Sequence, residues 1–106
     1  MIIYSDKLLP KSRGGMTLGT IIIIRPSLKG DKILLKHEQV HVAQFKRDWL
    51  FPIKYLLSKN YRFNAELEAY RDSFRLGWPL AYCATALTHY GTGISTEDAK
   101  ERLLHG

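Results

Sequence analysis

The chain has 106 residues, 45% of them hydrophobic and 25% charged. That is room for one ordinary folded domain with its own core and little more. A formal charge of +6 would suit an acidic partner such as nucleic acid or an anionic membrane surface. The basic residues are nevertheless spread out (Lys7, Lys11 and Arg13, then Lys46 and Arg47, then Arg71 and Arg75), which argues against a dedicated nucleic-acid surface. The single cysteine, Cys83, excludes an internal disulfide and a multi-thiolate metal site. No basic start is followed by a long apolar run, and Phe51 to Leu57 is interrupted by Pro52 and Lys54. A cytoplasmic protein without a signal peptide or transmembrane segment is therefore expected.

In chain order, Ile2 to Tyr4 reads as a short strand and Pro10 to Gly15 as a loop. Leu18 to Arg25 contains four consecutive isoleucines and is the strongest strand, since β-branched side chains suit a pleated, buried surface. Pro26 ends it, and Asp31 is placed to cap a helix from Lys32 to about Trp49. On the helical wheel Lys32, Lys36, Gln39, Ala43, Lys46 and Arg47 share the outer side. Ile33, Leu34, His37, Val40, His41, Gln44 and Phe45 share the inner one.

Leu50 to Tyr61 reads as a loop with at most a short helical turn. A second helix is expected from Phe63 to Leu76, stopped by Gly77 and Pro79. An apolar third follows over Pro79 to His89. After the break at Gly91-Thr92-Gly93, Ser95 or Thr96 opens a terminal helix over Glu97 to Leu104, with acids in its first turn. The expected fold class is α+β: one minimal domain over residues 1–106, with a short N-terminal sheet packed on a central helix and two to three further helices.

Chemistry concentrates in His37-Glu38-Gln39-Val40-His41. Imidazoles four residues apart on a helix lie one above the other and can grip one ion. Glu38 projects beside that ion, where a carboxylate can take a proton from a metal-bound water. Zinc, one ion, fits such a set because two imidazoles and a carboxylate leave a fourth position open.

A third ligand is needed, and Glu66-Leu67-Glu68-Ala69-Tyr70 offers two acids. They lie about 200° apart around a helix, so only one faces the metal. Glu66 shares its side with Phe63, Ala69, Tyr70 and Ser73, and the wheel favours it. Glu68 sits with Asn64, Arg71, Asp72 and Arg75 on what reads as a solvated face.

From Asp31 to Leu76 the chain resembles the gluzincin metallopeptidases, in their minimal, zincin-like form. In that family a histidine motif of this spacing is followed by a helix bearing Glu, then Ala three residues on and an acid at the fourth. Glu66 and Ala69 match; Tyr70 stands where the family has Asp. The resemblance implies a hydrolase acting on a peptide or protein substrate, with Glu38 as the catalytic base.

It also implies a group that orients a zinc histidine and a donor for the oxyanion. Tyr70 can fill the first role or simply pack in the core, which would leave the histidines to a backbone carbonyl or Asp48. Tyr61, Tyr82, His89 and Tyr90 are candidates for the second, with Tyr90 and His89 foremost. Two other readings stand beside the peptidase: a zinc protein that is structural or latent, and a basic nucleic-acid or membrane adaptor in which the motif is incidental.

Overall fold

The computed structural model describes residues 1–105. It is an α+β chain with a three-stranded sheet near the N-terminus and five α-helices among the described residues. It divides into two compact units, one from Met1 to Pro52 and one from Ile53 onward.

In the first unit, β1 (Ile2–Tyr4), β2 (Gly15–Leu18) and β3 (Ile21–Ile24) form a sheet of order β1-β3-β2. β3 runs parallel to β1, with Ile3 beside Ile23, and antiparallel to β2, with Gly15 beside Ile24 and Leu18 beside Ile21. The isoleucine run is thus the central strand, and Ile22, Ile23 and Ile24 are buried.

The expected strand over Leu18 to Arg25 begins too early. Leu18 closes β2, and Gly19-Thr20 is a two-residue hairpin turn. Gly19 has φ +63, a conformation open to glycine without the strain a Cβ brings. The loop read over Pro10 to Gly15 ends one residue sooner, where β2 starts. Arg25 pins that loop. Its guanidinium donates to the carbonyl of Pro10 at 2.8 Å and of Arg13 at 2.7 Å, and it pairs with Asp6 at 2.8 Å.

α1 (Lys32–Arg47) packs on β2 and β3. Asp31 caps it, its carboxylate accepting from the Leu34 amide at 3.0 Å. The predicted faces hold: Lys32, Lys36, Gln39, Ala43, Lys46 and Arg47 are exposed, while Leu34, His37, Val40, His41 and Gln44 are buried. The helix stops two residues short of Trp49, because Asp48 turns extended with φ −145.

The stretch read as a loop, Leu50 to Tyr61, is largely helical. α2 covers Phe51–Leu57 and α3 covers Lys59–Leu76. Pro52 lies in the first turn of α2, where its missing N–H costs nothing. Ser58 caps α3, accepting from the Tyr61 amide at 3.1 Å, so the helix starts four residues ahead of Phe63. Gly77, at φ 129, ends it as expected.

α4 (Leu80–Leu87) is followed by a 3-10 turn at Thr88–Tyr90 that holds His89, and α5 covers Thr96–His105. Ser95 accepts from the Asp98 amide at 3.1 Å and opens α5. The second unit's core joins Phe63, Leu67 and Tyr70 of α3 to Cys83, Ala84 and Leu87 of α4 and to Ala99 and Leu103 of α5. Burial pushes the Cys83 thiol up to about 11, so the lone cysteine is a core residue that stays protonated at neutral pH.

Candidate metal centre

α1 buries four polar side chains along one stripe. His37, Glu38, His41 and Gln44 are each no more than 7% exposed. Burying so many polar groups is costly unless each is bonded, and the stripe carries its own partners. The imidazoles of His37 and His41 meet edge to face, with ring centroids 5.1 Å apart. His41 Nδ1 lies 2.8 Å from Gln44 Oε1. With the amide oxygen toward the ring, Nδ1 carries the proton and donates, which leaves Nε2 as the nitrogen with the lone pair. Gln44 therefore orients His41 and fixes its tautomer, the role such a partner plays for a metal-ligating histidine.

Glu38 is buried beside β2. Thr17 Oγ1 lies 2.8 Å from Glu38 Oε1 and 3.1 Å from the Glu38 carbonyl oxygen. A Cβ on Gly15 would come within 3.4 Å of both Cγ and Oε2 of Glu38. The glycine thus lets the strand lie close against the carboxylate. Sheet order makes β2 an edge strand, whereas β3 is paired on both sides. The isoleucine strand is thus hydrogen-bonded on both sides, while β2 keeps one edge unpaired within the sheet.

In the second unit, α3 turns Glu66 inward, 3% exposed, along with Phe63, Ala69, Tyr70 and Ser73. Glu68, expected on a solvated face, is half-buried. Tyr55 of α2 donates its hydroxyl to Glu66 Oε2 at 2.5 Å. Tyr70 has its ring in the core, 6.1 Å from that of Trp78, and its hydroxyl bonds to that of Tyr90. Burial, then the neighbouring Tyr90 and the Glu66 carboxylate, hold the Tyr70 hydroxyl far above the usual phenol range. It therefore remains a neutral hydrogen-bond group. Tyr70 thus packs as a core residue, and its hydroxyl is bonded to Tyr90.

Of the predicted site residues, His37, His41 and Glu66 come together as a buried cluster that can hold a metal ion. Their ligand atoms all lie within 4.8 Å of one another. The donor chemistry fits zinc: two imidazoles and one carboxylate, no thiolate, with a coordination position left over. Glu68 is not in the cluster.

His89 is exposed, Tyr82 is 55% exposed against the edge of Trp78, and Tyr61 lies under the Lys54 ammonium at 5.7 Å. Asp48 accepts from the Leu50 amide at 3.0 Å, shaping the turn after α1. Three residues of the site escaped the sequence reading: Gln44, Tyr55 and Thr17. Only Gln44 left a signal, as a polar residue on the inner face of the wheel. No protein-family model, curated protein or solved structure matches the chain.

Proposed function

We propose that the chain is a small zinc-dependent peptidase, with His37, His41 and Glu66 as ligands and Glu38 as the general base. One observation carries the reading: two buried imidazoles and a buried carboxylate with donor atoms within 4.8 Å of one another, beside a second buried carboxylate that is not among them. When bound, zinc supplies a Lewis acid that lowers the pKa of water toward neutrality and polarises a carbonyl.

The chain's residues do the rest. Glu38 takes a proton from the attacking water and returns it to the leaving amine. Thr17, bonded to Oε1 at 2.8 Å, fixes the carboxylate's plane, so that Oε2 is the oxygen for proton transfer. Gln44 and Tyr55 orient His41 and Glu66. An extended peptide adds to the edge of β2, next to Glu38, through main-chain hydrogen bonds that select little for sequence.

The test is Glu38→Gln. It should keep zinc and lower peptide hydrolysis on the order of 10²–10⁴-fold, read by metal analysis and peptide cleavage on the same sample. Full activity in that variant would remove the mechanism.

A structural zinc site is the second reading, favoured by burial: none of the three ligands is more than 7% exposed. Cobalt substitution separates the two. Spectral change on adding a hydroxamate signals an open position, and an inert spectrum signals a closed, structural site.

A further inference from the structure

α2 is amphipathic in an unusual sense, because its outward side is apolar. Phe51 and Tyr55, four apart, are half-buried, and Tyr55 reaches Glu66. On the other side Ile53, Leu56 and Leu57 are 55%, 74% and 81% exposed. Their spacing of three and four places them on one helix face. Trp49, just upstream in the chain, is 75% exposed.

Large apolar side chains exposed together, as distinct from scattered singly, mark an interaction site. The surrounding charge says of what kind. Between residues 46 and 62 the sequence carries Lys46, Arg47, Lys54, Lys59 and Arg62 against one acid, Asp48. Lys46, Arg47, Lys54 and Lys59 are exposed.

An isoleucine and two leucines exposed on a short helix, with lysines at 54 and 59, are the composition of an element that lies in a membrane interface. The apolar side enters the headgroup boundary, and the cations meet anionic lipid. No helix among the described residues is long and apolar enough to cross a membrane, so the contact is with one surface.

We propose that α2 docks the chain on an anionic lipid surface through Ile53, Leu56 and Leu57, with Lys54 and Lys59 supplying attraction. The bond from Tyr55 to Glu66 lies on the opposite side of the helix, so docking leaves it intact.

The test is co-sedimentation of the full chain with vesicles of phosphatidylcholine, alone or with phosphatidylglycerol added, at low and high salt. Binding should require the anionic lipid, weaken with salt, and fall at least about tenfold in L56S/L57S. Both residues stand in solvent, so that variant should keep the parent's circular dichroism and melting temperature. A separate K54Q/K59Q variant should bind more weakly at low salt.

Absence of binding to anionic vesicles overturns the proposal. So does equal binding by L56S/L57S, which would make the attraction one of charge alone. Self-association lost in L56S/L57S, without vesicle binding by the parent chain, would assign the patch to a second copy and overturn it as well. None of these readouts depends on zinc or cleavage, so the peptidase reading stands or falls apart from this one.

Discussion

Two side chains that no spacing rule picks out bear most directly on the proposed metal site. Gln44 holds His41 Nδ1 at 2.8 Å, and Tyr55 donates to Glu66 Oε2. Groups that orient ligands typically change metal affinity 10- to 100-fold when removed. Gln44→Ala and Tyr55→Phe should each raise the zinc dissociation constant by about that factor while leaving the fold intact, as competition with a chromophoric chelator would show. Unchanged affinity in both would mean the contacts only fill space.

Cys83 offers an independent check at the same scale. Burial raises its pKa from 9.0 to about 11, so the folded chain holds that proton more tightly than the unfolded one. The associated stability is whole below pH 9 and is lost as pH rises toward 11. The denaturation midpoint should therefore fall across that window, and Cys83→Ala should flatten the fall.

At the scale of elements, caps and turns decide where helices and strands begin. Asp31 accepts the Leu34 amide bond at the start of α1, the helix that carries both histidines. Asp31→Ala should cost about 1 kcal/mol, seen as a lower denaturant midpoint with an unchanged slope. The same physics explains what was legible beforehand. α1 could be read because its cap, its period and its polar outer face agree, and Glu66 could be told from Glu68 because they face opposite ways.

What escaped did so for local reasons. Gly19-Thr20 looks like part of an apolar strand until one sees that glycine alone takes φ +63 there without strain. Pro52 resembles a breaker, yet it is harmless in a first turn. Ser58 went unread as a cap because no apolar period follows it closely. Thr17 and Tyr55 meet Glu38 and Glu66 across 21 and 11 residues, and such meetings depend on topology that a one-dimensional pattern does not contain.

For the molecule as a whole, a bound ion is part of the folding free energy. A metal that binds only the folded chain adds roughly 4 kcal/mol when its free concentration is a thousand times the dissociation constant. Chelation should then lower the melting temperature of the parent chain by several degrees, and added zinc should restore it. Acidification should act like chelation, because protons compete with zinc for the imidazoles of His37 and His41.

The most direct measurement is zinc per chain in protein purified without added metal, compared across His37→Ala, Glu66→Ala, Glu68→Ala and Glu38→Gln. The account predicts about one zinc per chain, lost in the first two variants and kept in the last two. A parent chain without metal, or zinc retained in Glu66→Ala and lost in Glu68→Ala, would contradict it.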